Sequence, residues 1–265
     1  MIDTCVELFP WPFRRVAGDE PADLVVRLRA KGVTQAWAGS NEALMMRDVS
    51  AVNSRLAAAC RAHGPNFLVP FGTVNPQQPD WQEDLRRCHE VHHMPGIRLY
   101  PSYHGYTLDD PVAAELLSMA ASRKLLVQIA LSMEDPRVQF PLMMVHSANP
   151  APLADLSRRI PNLRLLLLGR GNWGGPITAN TPNGTGQMTP EVAKAENIYF
   201  DISTVEGVGG VKRFMEETSP SRVVFGSHYP FFYFDSALLK VWEADLPPEQ
   251  AQAVLEGNAR RLLKG

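Results

Sequence analysis

Short runs of apolar and β-branched residues recur along this chain about every thirty residues, and helical periodicity fills most of the gaps between them. The runs predict strands at Ile2–Glu7, Val33–Ala38, Phe67–Thr73, Gly96–Tyr100, Leu125–Ala130, Leu163–Leu168, Ile198–Ile202 and Val223–Gly226. Amphipathic stretches at Pro21–Ala30, Val49–Arg61, Pro79–His92, Pro111–Ser122 and Val208–Glu217 predict helices between them. Asp80 precedes Trp81 and is followed three residues on by Glu83, a pattern that marks a helix start. Strand alternating with helix implies a parallel sheet. Eight such strands without a linker predict an α/β chain folded as a closed (β/α)8 barrel, one domain over residues 1–265, rather than an open doubly wound sheet.

Two connections are too long to be simple crossovers: Leu131–Pro150 after the fifth strand and Arg170–Ala195 after the sixth. Both follow strand C-termini, the catalytic face of such a barrel, and loops of this length inside a compact domain are usually lids or binding loops. Composition narrows the partners. The 26 Lys and Arg against 28 Asp and Glu leave a net charge of −2 without a basic block, so neither nucleic acid nor an anionic membrane surface is an expected partner. No apolar run approaches the roughly 20 residues that a membrane helix needs. The 3 cysteines, Cys5, Cys60 and Cys88, are odd in number and far apart, which argues against a disulfide framework. With the first strand starting next to Met1, the chain reads as cytoplasmic and reduced, and the sequon at Asn183 as coincidental. Nothing in the sequence sets the oligomeric state.

Gly169-Arg170-Gly171-Asn172-Trp173-Gly174 matches G-x-G-x-x-G after a strand. A dinucleotide site also needs a helix opening at the last glycine, and here Gly175-Pro176 and a polar stretch follow. The glycines are read as loop chemistry, and no cofactor is expected. The first strand is more informative. Cys5 and Glu7 share one face of it, because side chains alternate along a strand. The eighth runs into Ser227-His228-Tyr229-Pro230, and in a closed barrel the first and eighth strands are neighbours. Cys5, Glu7 and His228 are therefore expected to meet at one mouth, where the carboxylate would raise the histidine's pKa.

At these residues the chain resembles the amidohydrolase-related barrels of the amidohydrolase 2 family. The resemblance rests on Ile2-Asp3-Thr4, Gly96-Ile97-Arg98-Leu99-Tyr100-Pro101, Pro161-Asn162-Leu163, Asn197-Ile198-Tyr199-Phe200-Asp201, Arg222-Val223-Val224-Phe225-Gly226-Ser227 with Tyr229-Pro230, and Gly257-Asn258-Ala259-Arg260-Arg261-Leu262. It implies a barrel that holds a divalent metal through H-x-H on strand one, histidines after strands five and six, and an aspartate after strand eight. In this chain those positions fall on Cys5 and Glu7, near Ala130, near Gly169 and on His228, so the implied metal is expected to be absent. Three readings stay open. Cys5, Glu7 and His228 form a rebuilt zinc site; or His228 and Glu7 act as acid and base without metal, with Cys5 as nucleophile; or the pocket binds a ligand and turns nothing over.

Further candidates cluster after strand ends. An inward Arg98 needs a carboxylate, Glu7 or Asp201, or an anionic ligand. Asp201 is a candidate catalytic residue and a partner for Arg98, His228 or Arg170. Tyr100 and His104, with Tyr103 and Tyr106 near them, are candidate substrate contacts. Arg14, in Trp11-Pro12-Phe13-Arg14-Arg15, and Trp173 are candidate pocket walls, and Arg170 a further contact. Arg137, in Glu134-Asp135-Pro136-Arg137, either touches substrate or pins its loop by an ion pair. His89, His92 and His93 fall at a helix end on the opposite face of the barrel and are read as surface residues. The function these readings support is hydrolysis of a small polar, carboxylate-bearing molecule without the usual metal centre. The alternatives are a non-catalytic small-acid binder and a decarboxylase on the same scaffold. A pocket plugged by Trp11 or Trp173 would favour the silent reading.

Overall fold

In the computed structural model, which describes residues 1–135, 138–169 and 188–264, eight strands follow one another around a (β/α)8 barrel. They are β1 (Ile2–Leu8), β2 (Gln35–Ser40), β3 (Leu68–Gly72), β4 (Gly96–Leu99), β5 (Leu126–Ala130), β6 (Arg164–Leu168), β7 (Ile198–Asp201) and β8 (Val223–Val224). Each pairs in parallel with the next, as Val127 does with Ile97 on one side and Leu165 on the other. Closure runs through the segment after β8. Thr4 N–H donates to Phe225 O (3.0 Å), His228 N–H to Cys5 O (2.8 Å) and Glu7 N–H to Tyr229 O (3.0 Å).

Alternation sorts the strand residues into two cores. Val6, Ala38, Ile97, Val127, Leu165 and their neighbours pack outward against the helices. Trp37, Phe71, Leu126, Leu166 and Val224 fill the base of the barrel. Above them the interior turns polar, with Arg98, Gln128, Glu7 and Asp201 all buried.

Most expected elements recur with small shifts. Pro21–Ala30 and Pro111–Ser122 are helices over the expected residues. The expected helix Pro79–His92 is shorter and irregular, with an α-helix at Trp81–Arg86 that widens into a π turn at Arg87–Val91. Asp80 does not cap it with its side chain. Its backbone is left-handed (φ 57°), and only its carbonyl receives Glu83 N–H (2.9 Å). β8 is two residues long instead of four, because the chain bends past Gly226 into His228, itself at φ 57°. In the two long connections the structure describes a 3₁₀ turn at Pro141–Met143 and a helix at Pro190–Lys194. Residues 170–187, which hold most of the glycine motif, lie outside the described residues. Among the described residues no helix is long and apolar enough to cross a membrane.

Candidate functional site

The polar interior is built around Arg98, which points inward from β4 and is fully buried. Its Nε–H donates to Gln128 Oε1 (2.7 Å). Nη1 donates to Glu7 Oε1 (2.6 Å) and Val6 O (2.8 Å), and Nη2 to Trp37 O (3.0 Å) and Thr4 O (3.4 Å). The two free carbonyls of β1 have a local cause. The β1–β2 register shifts between Asp3 and Val6, and the carbonyls of Thr4 and Val6, at and beside the shift, turn to the guanidinium. Gln128 ties the other side through Nε2 to Thr4 O (2.9 Å). Tyr100 Oη donates to both Glu7 oxygens (3.1 and 3.3 Å). Burial is the largest influence and opposes the charge on Arg98, but Glu7, Tyr100 and Cys5 together outweigh it and hold the guanidinium above the ordinary arginine range. Burial likewise pushes the Tyr100 hydroxyl up, so it stays a donor. Gly39 gives this group its room. A Cβ there would lie 2.5 Å from Glu7 Oε2, 2.6 Å from Arg98 Nη1 and 2.7 Å from Tyr100 Oη.

Cys5 and His228 form a second group. Cys5 Sγ lies 3.4 Å from His228 Nδ1, and His228 Nε2 lies 2.9 Å from Met133 O. A carbonyl only accepts, so Nε2 carries the hydrogen and Nδ1 faces the thiol as acceptor. Burial pushes His228 down to about 4, and nearby Arg98 adds to the effect. Burial also raises the Cys5 thiol well above its ordinary value. The expectation that Glu7 raises the histidine's pKa is therefore overturned. The carboxylate is committed to Arg98 and Tyr100, and His228 is held neutral by burial beside a cation.

Asp3 anchors the seam between β1 and the segment after β8. Its Oδ1 accepts from Cys5 N (3.1 Å) and Ser227 N (3.0 Å), and its Oδ2 from Ser227 Oγ (2.5 Å). Burial raises Asp3 to about 7 and Asp201 to about 6. Asp201 accepts from Gly169 N–H (2.9 Å). It thus pairs with the end of β6 instead of with Arg98 or His228, and Arg170, its third expected partner, lies outside the described residues. Gly226 is packed against both groups, since a Cβ there would meet Asp201 Oδ2 at 2.6 Å and Cys5 Cβ at 3.1 Å.

An aromatic layer covers this interior. Trp11 is 2% exposed and stands edge-on to Phe231 (ring centroids 4.4 Å), Phe13 (5.5 Å) and Tyr103 (6.3 Å). It packs in one cluster with Ala43, Leu44, Tyr100, Ala130 and Met133. His104 joins this layer, edge-on to Tyr100, with Nε2 2.8 Å from Ala43 O. Beneath it Cys5 and Glu7 are 1% exposed and His228 4%. Arg14 lies outside the layer, with its guanidinium 5.3 Å from the Phe231 ring. It lines a cleft of about 600 Å³ between the loop after β1, the helix Pro21–Ala30 and the aromatic segment 229–234. Three cations (Arg14, Arg27, Lys31) and one acid, Asp235, line that cleft. Arg137 and Trp173 lie outside the described residues. His92 sits at its helix end with Nε2 3.4 Å from Ser54 Oγ, away from the mouth.

Sequence reasoning passed over Gln128, Asp3 and the Met133 carbonyl as members of the site. Gln128 had a signal, as the one polar residue in Leu126-Val127-Gln128-Ile129-Ala130. A backbone carbonyl has none. Among the described residues no group of three or more His, Cys, Asp or Glu is arranged to hold a metal ion.

The architecture is that of a (β/α)8 barrel, and comparison with known families assigns the chain within that fold. The family model described as amidohydrolase (Amidohydro_2) matches residues 7–265, and the chain belongs to that family. No curated protein matches it. Among solved structures it is similar to 5-carboxyvanillate decarboxylase from Sphingomonas paucimobilis (16% identity, 100% of this chain and 98% of that one, TM-score 0.72). It is also similar to 2,6-dihydroxybenzoate decarboxylase from Rhizobium (15%, 99% and 98%, TM-score 0.70). A third is a dihydroxybenzoic acid decarboxylase from a Polaromonas species, solved with manganese and the inhibitor 2-nitroresorcinol (16%, 99% and 96%, TM-score 0.68). At these identities the likeness establishes the fold.

Proposed function

We propose that this chain is a metal-independent member of its family that binds a small, carboxylate-bearing molecule and does not hydrolyse it at the barrel centre. The observation that carries this reading is the commitment of Glu7, Cys5 and His228 in the layer beneath Trp11. Glu7 is held by Arg98 and Tyr100, and the Cys5 thiol lies against His228. His228 is further held by Met133 O, and Asp201 accepts from Gly169 N–H. A divalent ion does not fit these residues. Ala130 and Gly169 bring no donor side chain, the thiol is far from ionising, and a fixed guanidinium already faces the carboxylate. The neutral Cys5–His228 pair lacks the lowered thiol pKa that a nucleophile needs. These features support the ligand-binding reading over hydrolysis.

The cleft beside the mouth is where the ligand is placed in this reading. Its volume falls within the roughly 300–1,000 Å³ of small-molecule sites. Lys31 is paired with Asp235 (2.7 Å) and Arg27 with Asp23 (2.8 Å), so the Arg14 guanidinium over the Phe231 ring, with the aromatic wall, is what suits a small acid with an apolar body. Decarboxylation is the second reading, supported by what the solved neighbours' names say they act on. One experiment separates the two. Purified protein, with and without added manganese, is incubated with a panel of hydroxybenzoates and small amides while products are followed by NMR and binding by calorimetry. Binding without product is expected. Release of CO₂ moves the assignment to the second reading, and hydrolysis of an amide overturns the proposal.

A further inference from the structure

The guanidinium of Arg98 offers five N–H groups, and the structure gives each an acceptor. These are Gln128 Oε1, Glu7 Oε1, Val6 O, Trp37 O and Thr4 O, at 2.6–3.4 Å. All five acceptors are oxygens, and they come from β1, β2 and β5, while the side chain enters from β4. The cage is backbone-built in three of its five contacts, from β1 and β2. Glu7, one of its walls, stands at a position that the family resemblance assigns to a metal ligand.

We infer that Arg98 is a tethered cation taking the place of a bound ion as the charge around which this barrel is organised, and that its oxygen cage is a binding site for a free guanidinium-type cation once the side chain is cut back. The cage recognises shape as well as charge. A planar fork reaches Gln128 on one edge and the carbonyls of Thr4 and Trp37 on another, which a compact ammonium with three donors cannot do together. Glu7 supplies the one formal negative charge in direct contact, matching a monovalent cation. Gly39 keeps the space beside Nη1 clear, so a free ion meets the same walls. This inference rests on the metal-independent reading above.

The test is chemical rescue. Arg98→Ala leaves Glu7 buried without its partner and should lower the thermal midpoint severely or prevent folding. Methylguanidinium at tens of millimolar should raise that midpoint by several degrees, or restore soluble protein on refolding, while sodium at equal ionic strength does neither. Wild type should gain nothing from methylguanidinium. Arg98→Met combined with Glu7→Gln removes both charges; it should fold and show no response to the ion. Arg98→Lys should fold less stably than wild type. The inference is overturned if Arg98→Ala is as stable as wild type. It is equally overturned if that variant gains no more from methylguanidinium than from sodium, or stays unfolded in both salts while the double variant folds. Failure of the underlying reading shows differently, as stoichiometric metal in purified wild type or a midpoint that falls when a chelator is added.

Discussion

A histidine buried in the interior near a guanidinium sheds its proton, even though a carbonyl accepts from its ring. His228 titrates at about 4 in the folded chain, below its ordinary 6.5. As pH falls the unfolded chain takes up this proton first. The stability His228 contributes is therefore complete above about 6.5 and is lost towards 4. The imidazole resonances in NMR should show a neutral ring through pH 5; protonation near 6.5 would contradict the burial. Asp3 works in the opposite sense. Its folded value of about 7 lies above the ordinary 3.8, so its contribution is complete below 3.8 and is lost as pH rises through 7. Asn cannot ionise, and its amide can meet Ser227 Oγ in place of the protonated carboxyl. Asp3→Asn should therefore remove a destabilisation that grows between pH 4 and 7. Denaturant melts of the two proteins across that range check this, with an unchanged pH slope counting against it.

At the scale of elements, the site depends on strands that depart from regularity. The shift in β1 turns carbonyls inward, and Gly39 on β2 leaves no Cβ where three side chains converge. Gly39→Ala should cost roughly 1–3 kcal/mol, the usual range for overpacking a filled interior. The loss should fall mainly on the Arg98–Glu7 contact, because those atoms stand in the way. Urea denaturation measures the cost. A neutral outcome would mean that β2 yields and that the interior is looser than its contacts imply.

For the whole molecule, the closing of the mouth decides what the barrel does. Trp11 comes from the loop after β1 and Phe231 from the segment after β8, so the plug ties together the two edges that closure joins. Trp11→Ala removes a large buried side chain, at a cost of about 3–5 kcal/mol. It should also admit reagents to the layer beneath. Alkylation of Cys5, followed by peptide mass mapping, should be far faster in Trp11→Ala than in wild type. Cys60 and Cys88, buried elsewhere in the fold, serve as internal references. Equal Cys5 rates in the two proteins would show that Trp11 is not what excludes solvent.

The order and type of the strands and the (β/α)8 architecture were legible in the chain, because period-two and helical periodicity are local properties of sequence. The inward Arg98 and its need for an acid were legible for a similar reason: a charge inside a strand must be answered wherever that strand is buried. The choice of Glu7 over Asp201 was not legible. It depends on the register shift in β1 and on the position of β6, whose Gly169 N–H takes Asp201 instead. The neutral state of His228 and the plug of Trp11 were equally hidden. Each is set by residues more than ninety positions away in sequence, the packing that buries the ring together with Arg98 in the first case and Phe231 in the second. Sequence by itself determined which elements form and which side chains carry charge. Only the closed barrel decided which of those charges meet, because in a parallel sheet every contact across the interior is made between segments that the chain keeps apart.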